Sequence, residues 1–483
     1  MPNDGGTETT SRAVGATPPD SRTVRVAVAA FAAVLAVATL SDRAAAHDVG
    51  ASRFDAPLPF PLLVAGAAAT ILATAALLSR SGDVPTHDST RRVRLPERPV
   101  EAARHLARVG FALAVALAVL DGLLGPRVAA ENAVTVFVWP VWVRGLALLA
   151  VVVGSVWPTL SPWRAAYEGL CRLEGDAVAV LGGYPDRLAH WPATAGFVAG
   201  IGVVATLTLV PRSPRGTAGV VAGYAAVMLV GGVCFGREWF RRADTLAVLY
   251  RLFGRVAVLD REDEGRTLSL RFPWTDCVRP VADGSLVAFV VAAVYTVSFD
   301  GFTNTPEFQT LLFAARRTLG LGPVASVVLY GLGLLGFLAA FAVVAALADR
   351  LGRGGTAGTV RGASLAFAPT VLPIAAAYEV AHNYPYVVRN LGLLVAMAAR
   401  AVGVPLIALD PLWWLPLPAF WASQVALVVL GHAVAVVAAH GVAVRRYGDS
   451  RASRRGHAPL LVLMVGYTVL SLWIVSRPVV SFG

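Results

Sequence analysis

The sequence predicts an all-α, polytopic integral membrane bundle, and three observations carry that expectation. Hydrophobic residues make up 56% of the chain against 15% charged, with a mean hydropathy of +0.65, too apolar to clothe a soluble globule. Apolar runs of about twenty residues recur, the length that takes a helix across roughly 30 Å of hydrocarbon. The third observation is the placement of arginine. The chain has no lysine, so its 41 basic residues are all arginine and the net +11 is an arginine charge. In a polytopic chain such an excess reports topology rather than nucleic-acid binding.

From the amino terminus, residues 1 to about 21 are rich in Gly, Thr, Ser, Pro and Asp and read as a disordered, cytoplasmic tail. An apolar run from Val24 to Leu40 lies between Arg22/Arg25 and Ala44-Ala45-Ala46, the layout of a signal peptide, with an uncleaved first helix as the competing reading. Residues 1–46 are therefore set apart from a transmembrane domain over 47–483. About ten spans follow, near 58–79, 107–125, 133–157, 193–210, 217–236, 285–300, 322–348, 364–385, 417–442 and 458–476. If the segment after His47 starts outside, "STRRVRLPERPVEAARHLAR", "GREWFRRADTLAVLYRLFGRV" and "RRYGDSRASRRGH" all fall inside, as the positive-inside rule requires of a multi-pass plasma-membrane protein.

Two of the inner loops have helical patterning. Residues 237–258 read as an amphipathic interfacial helix, followed by "DREDEGRTLSL" as a solvated charged turn, and 159–191 read as a second surface helix held at headgroup level by tryptophans. Cys171, Cys234 and Cys277 form no CxxC and read as unreactive thiols. No internal repeat of the kind common in transporters stands out.

Polar groups inside lipid are costly, so they mark where chemistry could sit. The topology gathers Asp300, Glu379 and His382 toward the outer side, with Asp410 in the loop before the ninth span and His432 nearer mid-membrane. Glu379 and His382 share a helix face in "YEVAHNYPY", beside Tyr378. Their Glu-x-x-His spacing recurs in metal sites within helix bundles, while the structural alternative is a polar patch that fixes helix packing. His432 and His440 in "GHAVAVVAAH" stand about 12 Å apart along the helix and roughly 80° around it, too far to ligate one ion. His440, near the inner end, reads as a snorkelling or capping residue. Arg144, inside the third span, is expected to pair with a carboxylate or with carbonyls.

His47 follows Ala-Ala-Ala directly. Cleavage after Ala46 would make it the mature amino terminus, whose α-amine and imidazole form a nitrogen chelate suited to copper. The competing reading is a linker residue. GxSxG, HExxH, Walker A and dinucleotide fingerprints are absent, so the common hydrolase and ATP-driven pump signatures are missing.

Several stretches, in order and over almost the whole chain, resemble the fenitrothion hydrolase-like family of polytopic prokaryotic membrane proteins. They are "AHDVGASRFDAPLPFPLLVAGAAAT", "SPWRA", "YPDRLAHWPA", "FDGFTNTPEF", "SLAFAPTVLPIAAAYEVAHNY", "WASQVALVVLGHAVAVVAAH" and "RRYGDSRASRRGHAPLLVLMVGYTVLSLW". The resemblance implies a helical bundle behind a secretory leader, and hydrolysis of organophosphate esters. It marks His47, Asp300, Gly301, Phe302, Tyr378, His382, Asp410, Pro411, Gly431, His432 and His440 as motif positions, whereas Glu379 stands at a variable one.

Three functions are therefore expected to compete. The first is a transporter that binds a proton or cation on intramembrane His and acidic residues. The second is a membrane-embedded hydrolase in which His47, His382 and His432, with Asp300 or Asp410, hold copper or zinc against a phosphoester, Asp300, His382 and Asp410 being the catalytic candidates. The third is a metal-handling protein without turnover, built on His47. All three have the lipid bilayer as partner and a small molecule or metal ion as substrate, and each leaves homo-oligomer formation open.

Overall fold

The computed structural model describes residues 59–81, 84, 92–354, 359–407, 409–448 and 450–477. The tail, the leader segment and His47 lie outside the described residues. Among those described, 10 helical stretches are long and apolar enough to cross a membrane. They run Phe60–Ser79, Glu97–Leu124, Ala133–Val153, Asp186–Ala205, Pro214–Phe235, Gly284–Thr303, Gly322–Gly352, Val360–Ala401, Leu417–Tyr447 and Arg451–Val475, taken here as spans one to ten. The protein is an all-α, multi-pass bundle. The sixth and eighth spans are buried over 72% of their most apolar stretch, against 17% for the second and seventh, so those two form its centre.

The eighth span departs most from its expected length, continuing to Ala401 rather than stopping at Pro385. A proline inside a helix removes one N–H and strands the carbonyl four residues back. Here that carbonyl belongs to Ala381, and Gln424 of the ninth span donates its Nε2 to it at 3.2 Å. The neighbouring helix thus satisfies the group that Pro385 frees, and the helix runs on.

The loops expected on one side do meet at one end of the bundle. A three-stranded antiparallel sheet joins β1 (Arg92–Arg94), between the first two spans, to β3 (Thr267–Leu270), after the fifth, with β2 (Leu259–Glu262) on the far edge. The segment "DREDEGRTLSL" is therefore a β-hairpin rather than a free charged turn. Its pattern was hidden by the charged strand β2, while on β3 Thr267 and Ser269 alternate inward. Arg266 reaches Glu97 at 2.7 Å, Arg446 of the ninth span reaches Asp349 of the seventh at 2.8 Å, and Val281 N donates to Leu365 O at 3.0 Å. These contacts tie together the loops that carry most of the arginines.

The helix expected over 237–258 is divided into Arg237–Arg242 and Thr245–Phe253, and the second part folds back into the protein instead of lying on a surface. Leu246, Val248, Leu249, Tyr250, Leu252 and Phe253 are all buried. Asp244 makes the corner. Its carboxylate caps the second helix by accepting from Leu246 N and Ala247 N at 2.9 and 3.1 Å. It also accepts from the Trp157 and Trp163 indoles at 3.0 and 2.8 Å and from the Tyr224 hydroxyl at 2.8 Å. Of the two tryptophans read as headgroup anchors, Trp163 is therefore a core residue held on this carboxylate, whereas Trp191 is exposed. Between 159 and 191 the long surface helix is shorter than expected, Pro162–Glu174.

Candidate functional site

The third span begins at Asn132, whose Oδ1 caps the helix by accepting from Val134 N at 3.0 Å. Over Phe137–Arg144 the winding loosens into a π-helix that contains Pro140. Such segments are rare and expose backbone groups that an α-helix would use internally. The Trp142 and Val143 carbonyls both lie 3.2 Å from the hydroxyl of Tyr250, on the helix that folds back. The fourth span contains a second π-helix, Phe197–Ala205. Both loosened segments face one cavity of about 20 Å³, room for about one water molecule. Arg144 and Glu379 form its polar wall, Phe197 and Ile201 come from the second π-helix, and Leu249 and Phe253 close it from the helix that folds back.

At the end of the first π-helix, Arg144 meets two carboxylates, one from each of the two central spans. Its Nη1 donates to both carboxylate oxygens of Glu379, each at 2.9 Å. Its Nη2 lies 3.4 Å from Asp300 Oδ2. That same oxygen is 3.6 Å from His382 Nε2. Exposure separates the cluster into two halves: Glu379 is 5% and Arg144 13% exposed, whereas Asp300 is 22% and His382 30%. The Arg144 and Glu379 half is a nearly buried ion pair, and the Asp300 and His382 half is partly exposed.

The charges of this cluster do not balance on their own. One guanidinium faces two carboxylates, and Glu379 holds the shorter and doubled contact. Asp300 is left with a negative charge that one proton, shared with His382, or one small cation would neutralise.

Tyr378 lies one residue from Glu379, 2% exposed, with its ring centroid 6.2 Å from that of His382. A Cβ on Gly301 would come 3.0 Å from the Tyr378 hydroxyl and 2.9 Å from Ile474 Cγ2, so the glycine after Asp300 is what admits the phenol. That hydroxyl finds no hydrogen-bond partner among the described residues.

The remaining expected site residues lie elsewhere. His432 is fully buried, its Nδ1 2.8 Å from the Val428 carbonyl and its ring 5.7 Å from Tyr467. Tyr467 in turn donates to Val294 O at 2.8 Å and hydrogen-bonds Ser298, about half a turn from Asp300 on the sixth span. His440 does not snorkel. It is buried with its ring 5.5 Å from that of His457 on the tenth span. Asp410, in the loop after the eighth helix, sits in an exposed pair 3.5 Å from Arg389, which stands about 10 Å further along that helix than His382. Among the described residues no group of three or more His, Cys, Asp or Glu side chains is placed to hold a metal ion. His47, the third proposed ligand, is outside them.

Tyr467 and His457 had no signal in the sequence beyond being polar near a span, and His457 fell just before the expected start of the tenth. The structure begins that helix at Ser450, which draws His457 into the bundle. No family model matches the chain, and comparisons with curated proteins and with solved structures found no match.

Proposed function

We propose that the protein is a membrane transporter whose Arg144, Glu379, Asp300 and His382 cluster takes up one positive charge, a proton or a small cation, from the outer side. The observation that carries this reading is the charge imbalance: two carboxylates face one arginine, and the second carboxylate is the partly exposed one beside His382. Arginine-rich loops face the cytoplasm under the positive-inside rule, which turns Asp300 and His382 outward. Leu249 and Phe253 then close the cavity behind Arg144 and Glu379 from the cytoplasmic side. A site open to one side and plugged on the other is what alternating access requires of one of its states.

Further polar groups support passage of protons beyond the cluster. Tyr467 with Ser298, His432, and the His440 and His457 pair stand at successive levels toward the arginine-rich end, in helices that are otherwise apolar. Polar side chains at that depth are expensive and are kept for a task. The hydrolase and metal-handling readings, and kinship with the fenitrothion hydrolase-like family, would draw on the same outward-facing Asp300 and His382.

Proteoliposomes decide between them. With an inward pH gradient, a defined mixture of small amines, divalent metal ions and organic acids is offered, and the lumen is read by mass spectrometry. Gradient-driven accumulation of one class, lost with a protonophore and in Asp300→Asn, is the expected result. Absence of any accumulation, with phosphotriester turnover that Asp300→Asn abolishes, would replace the transporter by the hydrolase.

A further inference from the structure

A second cavity, of about 350 Å³, opens at the arginine-rich end, away from the cluster at Asp300. Arg241, Arg251, Arg255 and His190 line it over an apolar wall that includes Val281 and Leu286. The carboxylates nearby are already engaged. Glu238 is held by Arg241 at 2.7 Å and Arg242 at 2.6 Å, and Asp283 by His190 at 2.6 Å and by the Leu286 amide at 3.0 Å. Asp276 pairs with Arg271 and with Arg279, and Asp244 is occupied by two indoles and a phenol.

Arg251 and Arg255 are thereby left to carbonyls. Arg251 Nη1 donates to Arg241 O at 2.9 Å, and Arg255 Nη2 to Pro280 O at 3.2 Å. No carboxylate among the described residues pairs with either. Arg255 Nη1 is buried and has no hydrogen-bond partner there. Burial first, and the Arg241 and Arg255 charges second, lower Arg251 below the ordinary arginine value, and burial does the same to Arg255. Guanidiniums crowded together, partly dry and short of acceptors concentrate positive charge in this cavity.

We propose that this cavity binds a phosphate group. Guanidinium forks match phosphate oxygens two at a time, which a lone carboxylate cannot satisfy across several arginines. With Glu238 offsetting one of the three arginines, about two positive charges remain, suited to a phosphomonoester or to a phosphodiester with a further anionic oxygen nearby. The volume falls within the ordinary range of small-ligand pockets, roughly 300–1,000 Å³. Two sources supply this chemistry: the headgroup of an anionic lipid in the cytoplasmic leaflet, whose glycerol end would meet Val281 and Leu286, and a soluble phosphate.

The test uses the full chain in nanodiscs. In one arm the lipid is a mixture of phosphatidylglycerol and phosphatidylcholine, and lipid retained by the protein is counted by native mass spectrometry. In the other the lipid is phosphatidylcholine alone, and inorganic phosphate is titrated while the melting temperature is followed. Wild type, the double variant Arg251→Gln/Arg255→Gln and the charge control Arg172→Gln are compared. Retention of phosphatidylglycerol that falls about tenfold in the double variant alone assigns the headgroup. A phosphate-dependent rise in melting temperature, lost in the double variant alone, assigns the soluble anion. Should the double variant fail to fold, the wild type decides: preference for phosphatidylglycerol over phosphatidylcholine, or stabilisation by phosphate, sustains the proposal. A wild type indifferent to both probes overturns it, as does a folded double variant that responds like wild type.

Discussion

Arg144 Nη1 lies 2.9 Å from each carboxylate oxygen of Glu379, although the two residues stand 235 positions apart in the chain. The contact joins the third span to the eighth and fixes the dry half of the cluster. Removing one partner of such a pair strands the other's charge in an apolar setting, at a cost of about 3–5 kcal/mol, whereas replacing both by apolar groups of similar volume is often close to neutral. Arg144→Met should therefore lower stability sharply, and Arg144→Met/Glu379→Met should recover much of the loss. Thermal unfolding in detergent measures both. A loss in the double variant equal to the sum of the losses in Arg144→Met and Glu379→Met would show that the pair is not coupled.

Asp244 is the hub of the arginine-rich end, a buried carboxylate that accepts five hydrogen bonds. Asp244→Ala leaves two indoles, a phenol and two amides without their acceptor, each orphaned group costing about 1–3 kcal/mol. The variant is expected to lose folded yield or to melt far below wild type, with Asp244→Asn intermediate because one acceptor oxygen survives. Size-exclusion profile and melting temperature report it. A wild-type melting curve for the alanine variant would contradict this network.

At Gly431 the ninth span packs tightly against the eighth. A Cβ there would come 2.4 Å from Ala377 Cβ and 2.8 Å from the Pro373 carbonyl, and the backbone on that side cannot yield cheaply. Small residues let helices in a membrane approach this closely. Gly431→Ala should cost about 1–3 kcal/mol, whereas Gly466→Ala, which meets nothing within 4 Å, should leave the melting temperature unchanged. Comparable effects from the two would refute the packing argument.

Cys277 is fully buried in the segment between the β-hairpin and the sixth span, and burial pushes its thiol up to about 12. The thiolate is the reactive form, so at neutral pH this cysteine should stay unlabelled by maleimide until the protein is unfolded in dodecyl sulfate. Peptide mapping after labelling reads the outcome, and rapid modification in the native state would show that the segment opens.

Much of the architecture was legible in the sequence because membrane spans follow from run length and arginine parity. The pairing of β1 with β3, and of Arg446 with Asp349, requires the same parity of crossings that the arginines imply. That Asp300, Glu379 and His382 stand close together was legible too, since all three are costly in lipid and fall at one level of the expected spans. What the sequence hid is lateral order. Nothing in one chain says that the third span touches the eighth, so the partner of Arg144 could not be named. The Thr245–Phe253 helix has the amphipathic pattern of an interfacial helix, and only Asp244 with its indole and phenol partners turns it inward. Pro385 read as a helix end because the compensating donor, Gln424, belongs to another span.

If the cluster takes up one positive charge as proposed, Asp300 and not Glu379 is the carboxylate that exchanges it. Infrared difference spectroscopy of the protein in nanodiscs, stepped through pH, follows carboxyl protonation directly. The account predicts a carboxylic acid C=O band that grows on acidification, vanishes in Asp300→Asn, shifts in His382→Gln and persists in Glu379→Gln. A band that survives Asp300→Asn, or one lost only in Glu379→Gln, would contradict it.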